Sequence, residues 1–274
     1  MSRDVSRPIP FLPASRAVFD LALEGMVWTR RSLFMAVLVG LPIGFGVLYR
    51  VVLAAKIPPQ VTGFDLYGAI VVLYYLRATV IPGVLPMVAL FYATALVGDE
   101  VEGKTITYLL TRPVPRMAIL AGKFAAYLVT TLSLALPSLV ITFLLLNSVQ
   151  GARGISAAFP DLLRDMGVAT LALVVHGAVF ALLGVLFRRP MVLGLFLLLV
   201  WESLSLFPGD LPRLTLAAYL KSLVSHRPAA EGLGALFGVV LPTPLCLAVL
   251  LGVSLGGLAL ALWIFAAREY VLEQ

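Results

Sequence analysis

The most chemically suggestive run in the chain is Gly98-Asp99-Glu100-Val101-Glu102-Gly103-Lys104-Thr105, which fits the spacing G-x-x-x-x-G-K-T of a phosphate-cradling loop. In a working loop of that kind the backbone amides and the lysine point at phosphate oxygens, and the loop joins a strand to a helix. Here the run follows a long apolar block instead of a strand. Asp99, Glu100 and Glu102 would also repel a triphosphate. No soluble α/β region is present to house the rest of a nucleotide site. The spacing is therefore a coincidence, and neither ATP nor Mg is expected on this chain.

Other reactive residue types are sparse. H-E-x-x-H does not occur, and the two histidines, His176 and His226, fall on opposite sides of one apolar block, so no metal cluster is expected. The lone cysteine, Cys246, excludes an internal disulfide and reads as a small buried hydrophobe. His176 falls midway along the fourth apolar block. An ionisable group there is a proton relay or substrate contact, or else it hydrogen-bonds to a neighbouring helix. Glu202 stands near the outer end of the fifth block, within a short shift of the headgroups. Arg77 snorkels outward, while Arg153, Arg164 and Asp165 read as solvated loop residues. No paired carboxylates fall within one block, so the chain is not expected to be an enzyme.

The elements that must position these groups follow from composition. Of 274 residues 61% are apolar and 12% charged, whereas a soluble domain carries about 25% charged residues. The apolar residues come in blocks that match the ~20 residues needed to span a bilayer as helix. Six are expected: Leu33–Ala55, Thr79–Val97, Phe124–Leu146, Val168–Phe187, Met191–Phe207 and Leu245–Ala267. Leu66–Leu76 and Leu233–Val240 are apolar but too short, and read as interfacial helices or span extensions. Pro42, Pro82, Pro86 and Pro137 punctuate the spans and can kink them. The fold class is thus all-α, a polytopic membrane bundle with about six transmembrane helices. Residues 1–31 form an N-terminal segment, 32–267 the transmembrane domain and 268–274 a tail. Within the first segment, Arg16–Arg31 interleaves Val18, Leu21, Leu23, Met26 and Trp28 with Asp20, Glu24, Arg30 and Arg31, the pattern of a helix lying on a lipid surface.

The net charge of +6 is distributed between the blocks, with no aromatic-interleaved basic strip, so the partner is the lipid bilayer and not nucleic acid. Placing the N-terminus inside puts twelve lysines and arginines on the inner side and eight on the outer. The tight Arg188-Arg189-Pro190 turn falls inside, and both termini are then cytoplasmic. Residues 98–123 become an inner loop. Asp99, Glu100 and Glu102 read as the start of a short helix and Arg112-Pro113 as its end, with Ile106, Tyr108, Leu109 and Leu110 as an apolar patch. Such a helix either docks into a groove on a partner or simply connects two spans in the headgroup layer.

The run Asp99–Thr105, then Tyr108-Leu109-Leu110-Thr111-Arg112-Pro113-Val114-Pro115-Arg116, then Leu120-Ala121-Gly122-Lys123, resembles the inner-loop signature of ABC-2 type permeases. In that family an acidic E-x-x-G-T stretch leads into hLL-(S/T)-x-P-(V/I)-(S/P)-R and hh-x-(G/A)-K. The second and third parts fit closely; in the first, Gly103 follows Glu102 directly and Lys104 separates it from Thr105. The resemblance implies an exporter permease of the cytoplasmic (inner) membrane, working as a homodimer or as a heterodimer with a similar permease. It also implies a separate ATP-binding cassette ATPase that carries ATP and Mg. On this reading residues 98–116 are the coupling segment, with Glu100, Glu102, Gly103, Thr105, Tyr108, Leu109, Leu110, Arg112, Pro113 and Arg116 as its docking and orienting residues. The rival expectations are an ion-gradient-driven transporter, which would want several intramembrane carboxylates, and a membrane scaffold with no transport.

Overall fold

A computed structural model describes residues 10–27, 30–55, 80–102, 114–148, 151–207, 210–224 and 241–268. Leu66–Leu76, Arg77, His226 and Leu233–Val240 lie outside the described residues. Among the described residues every regular element is a helix and no strand occurs. In chain order these are α1 (Phe11–Val27), α2 (Arg30–Ala54), a π turn (Val80–Val84), α3 (Leu85–Ala93) and α4 (Ala95–Glu102). There follow α5 (Arg116–Asn147), α6 (Gly151–Leu186), α7 (Pro190–Phe196), α8 (Leu216–Leu223) and α9 (Thr243–Ala267).

Helix is what these sequences must form in hydrocarbon, where each backbone donor and acceptor has to be satisfied within its own segment. Five helical segments are long and apolar enough to cross a bilayer: Ser32–Val51, Val80–Gly98, Arg116–Asn147, Gly151–Leu186 and Thr243–Ala267. The expected fifth span is the exception. Its apolar part, Pro190–Ser205, is shorter, and α7 gives way to a π turn at Leu197–Trp201 and a 3₁₀ turn at Glu202–Leu206. The chain is an all-α polytopic helical bundle, with Pro42 and Pro137 accommodated inside α2 and α5.

α6 is the hub, packing against α3, α5 and α9 and touching α4 and α7. Its contact with α5 depends on Gly177. A Cβ at that position would run into the ring of the fully buried Tyr127, whose hydroxyl donates to the Leu173 carbonyl at 2.7 Å. Ser138 Oγ of α5 likewise donates to the Val39 carbonyl of α2 at 2.6 Å. Such bonds, with small residues at the crossing, hold helices together where apolar burial gives no preference over lipid. α1 crosses α5 at Gly122, where a Cβ would strike the Ser15 carbonyl. The outer faces of α2 and α9 leave Leu33, Val37, Leu48, Leu251, Leu255 and Trp263 exposed, a surface suited to lipid.

One expectation is overturned. Arg153, Arg164 and Asp165 do not lie in a solvated loop, because α6 begins at Gly151. Asp165 is wholly buried, on the same helical face as Leu162, Ala169 and Ala172. Exposed Arg164 turns its Nε to the Leu223 carbonyl at 2.8 Å, so the short α8 lies across this part of α6.

Candidate functional site

The loop singled out by its sequence leaves α4 and enters α5. Gly103, Thr105, Tyr108, Leu109, Leu110, Arg112 and Pro113 lie outside the described residues, as do the side chains of Glu100 and Glu102. What is described is the pair of helices that flank the loop and the way they are anchored. The acidic residues Asp99, Glu100 and Glu102 fall in the last turns of α4. They do not start a helix of their own, because the helix of the second span runs on past a break at Thr94.

Three basic residues tie this end of the bundle together. Lys123, on the second turn of α5, donates from Nζ to the Leu96 carbonyl of α4 at 2.8 Å. Arg116, the first residue of α5, donates through one terminal guanidinium nitrogen to the Arg268 carbonyl at 3.0 Å and the Ala266 carbonyl at 3.4 Å, both at the end of α9. Arg268 in turn reaches the end of α6, donating to the Leu186 carbonyl at 3.1 Å and also to that of Val185. The physical cause is common to the last two. The final four carbonyls of a helix have no intrahelical donor and carry the negative end of its dipole, so a guanidinium is the fitting partner. Arg116 is badly placed for its own helix, since a cation at an N-terminus opposes the dipole. Its position is explained by the end of α9 beside it. Tyr92 adds a fourth tie, donating to Ser32 Oγ at 2.9 Å, and Ser32 itself donates to the Met26 carbonyl at the end of α1.

The two intramembrane candidates lie elsewhere. His176 is fully buried on α6, with Nδ1 2.9 Å from the Ala172 carbonyl of its own helix, which fixes the Nδ1–H tautomer. Nε2 has no hydrogen-bond partner among the described residues, and the ring packs against Phe180. Glu202 stands at the opposite end of the bundle from the loop and is buried within the protein. Its carboxylate accepts the amides of Ala217 at 2.7 Å and Leu216 at 3.3 Å, the first residues of α8, while Thr215 Oγ1 accepts from Ala218 at 3.3 Å. Lys221, one turn further along α8, donates to Ser205 Oγ at 3.0 Å. Burial lowers the pKa of its ammonium group, and the nearby Glu202 carboxylate pulls it part of the way back.

Arg116, His176 and Glu202 are thus dispersed, and the structure does not bring them together. The anchoring residue that sequence reasoning missed is Arg268, although a basic residue closing the last apolar block is a recognisable helix-end signal. Lys221 and Thr215 were missed for want of any sign that α8 folds back beside the fifth span. Among the described residues no group of three His, Cys, Asp or Glu is placed to hold a metal.

Comparison with known proteins bears on residues 27–270, which match the family model described as ABC-2 family transporter protein. No curated protein matches the chain. That span takes in the loop, both helices that anchor it and each of the apolar helices. As a multi-pass membrane protein matched over most of its length, the chain belongs to the ABC-2 family of transporter proteins.

Proposed function

We propose that this chain is the permease subunit of an ATP-driven exporter in the cytoplasmic (inner) membrane, with both termini and the 103–113 loop on the cytoplasmic side. A separate ATP-binding cassette subunit binds ATP and Mg and docks on that loop. The permease pairs with a second copy or with a similar chain. Tyr108, Leu109 and Leu110 form the docking face, and Glu100, Glu102, Gly103, Thr105, Arg112 and Pro113 set its orientation. The observation that carries the reading is the family match across residues 27–270 together with the anchoring of both loop flanks, Lys123 to α4 and Arg116 to α9. A loop that is to be pushed needs flanks that cannot simply slip. Arg116, the last of the orienting residues, also grips α9 on the bundle side of this arrangement. An ion-gradient mechanism is less well supported, because the buried Glu202 carboxylate is already engaged by two backbone amides.

The test is a mild-detergent pull-down of the tagged chain from its native membrane, with partner identification and an ATPase assay. We expect a stoichiometric ATPase that is lost on Tyr108→Ala with Leu109→Ala. An ATPase that stays bound to the double variant would remove the docking face. A chain that repeatedly purifies without any ATPase would remove the ATP-driven reading.

A further inference from the structure

The ties at the loop end have an order. Arg116 opens α5 directly after the loop and holds two carbonyls at the end of α9. One of those carbonyls belongs to Arg268, whose guanidinium reaches on to the last carbonyls of α6. The partners are 152 positions apart in the first step and 82 in the second, so each step joins spans that are remote in the chain. The bonds of Arg116 to described residues go to the end of α9, and α6 is the helix against which α3, α5 and α9 all pack.

We infer that Arg116 and Arg268 form a two-step relay, in which the loop flank is fixed to the end of α9 and, through Arg268, to the end of the hub helix α6. A displacement of the loop is then felt at both spans, and first at α9. The bearing of this relay on transport rests on the proposed function; its existence does not. Both residues are positioning residues. Guanidinium bonds to carbonyl oxygens are charge-assisted and stronger than neutral ones, and both steps terminate on carbonyls that no backbone amide of their own helices can reach.

The relay has a direction that a pair of independent caps would lack. Removing the Arg116 side chain frees the end of α9, and with it the residue that caps α6. Removing the Arg268 side chain leaves its backbone carbonyl, and so the Arg116 bond, in place. Hydrogen exchange of the full chain in lipid nanodiscs reads this without an ATPase. The reporters are the amides of Arg268 and Phe187, each bonded to its own last turn, at 2.9 Å to Ile264 and 3.0 Å to Leu183. Arg116→Ala should speed exchange at both, by about fivefold or more. Arg268→Gln should do so only at Phe187. The double variant should exchange at Phe187 no faster than Arg268→Gln alone, and Arg116→Lys should restore the wild-type pattern. The amide of Ala217, at the opposite end, serves as the control that the fold is intact. Acceleration confined to Arg268 in Arg116→Ala would overturn the relay, as would additive effects at Phe187. Should Arg116→Ala not fold, Arg268→Gln decides alone: unchanged exchange at Phe187 overturns the second step, and acceleration at Phe187 with Arg268 unmoved supports it. An ATPase captured by a chain whose exchange follows the independent pattern would leave the proposed function standing without the relay. The relay pattern in a chain that captures no ATPase would do the reverse.

Discussion

The two ends of the bundle use the same electrostatics with opposite polarity. At the loop end, guanidinium groups donate to the carbonyls that close α9 and α6. At the other end, the Glu202 carboxylate accepts the amides that open α8, and Arg164 donates to the Leu223 carbonyl that closes it. Both arrangements match charge to the helix dipole and supply partners for orphan backbone groups. Their reach differs. Glu202 and the amides it holds are 14 and 15 positions apart, so it clips a short helix to the segment just before it. Arg116 and Arg268 join spans across 150 and 82 positions. One end secures a small element against the bundle; the other secures the spans against one another beside the segment proposed to receive force.

The largest effect is expected where the clip is most buried. Glu202→Ala leaves two amides at the start of α8 without their acceptor and deprives Lys221 of a nearby carboxylate. Unsatisfied buried groups of this kind cost several kcal/mol, and about 3 kcal/mol of stability should be lost. Cys246 offers a local probe, since this only cysteine is fully buried near the start of α9, which α8 contacts. A thiol-reactive dye should label it faster in Glu202→Ala, while exchange at Phe187 stays as in the wild type. Glu202→Gln should be milder, because the amide oxygen still accepts. Unchanged labelling in Glu202→Ala would mean that the carboxylate is not what holds α8 down.

A change midway between the ends should disturb both. Gly177→Ala forces a methyl group into the Tyr127 ring, which is fully buried and pinned through its hydroxyl to Leu173. Overpacking of this sort costs about 2 kcal/mol. Because α5 and α6 meet here, Cys246 labelling and Phe187 exchange should rise together, and trimming the ring by Tyr127→Ala in the same chain should relieve part of the strain. If only one probe moved, α5 and α6 would not be the shared support of both ends.

What was legible in the sequence is what the bilayer dictates locally. Block length and low charge predict the helices of α2, α5, α6 and α9, since hydrocarbon leaves the backbone no other choice. The same logic misplaced the start of α6. Arg164 and Asp165 look like loop residues until α8 is seen to lie across this part of α6, and the bond that Arg164 makes there is to a carbonyl 59 positions later in the chain. Glu202 was noticed for its charge, but its partners are backbone amides, which have no signature in residue type. The loop motif pointed at Arg116 and ended on Lys123, the two residues that anchor its flanks, without showing that their partners are α9 and α4. Residue type reveals which groups need a partner; only the fold reveals which helix end supplies it.

The smallest expected effect sharpens the comparison by separating burial from charge. Asp210 and Arg213 form an ion pair at 2.9 Å on the connection between the fifth span and α8, at the same end as Glu202. Their side chains are 83% and 56% exposed, so water screens the attraction and the two long side chains lose freedom in making it. Asp210→Asn should therefore change stability by no more than about 0.5 kcal/mol, leave Cys246 labelling unaltered and show no added sensitivity to salt. Glu202 differs in being buried, with two backbone amides as its partners. If Asp210→Asn loosened Cys246 as much as Glu202→Ala does, net charge at this end would matter more than the buried acceptor. The parallel between a carboxylate that opens α8 and guanidiniums that close α9 and α6 would then lose its physical basis.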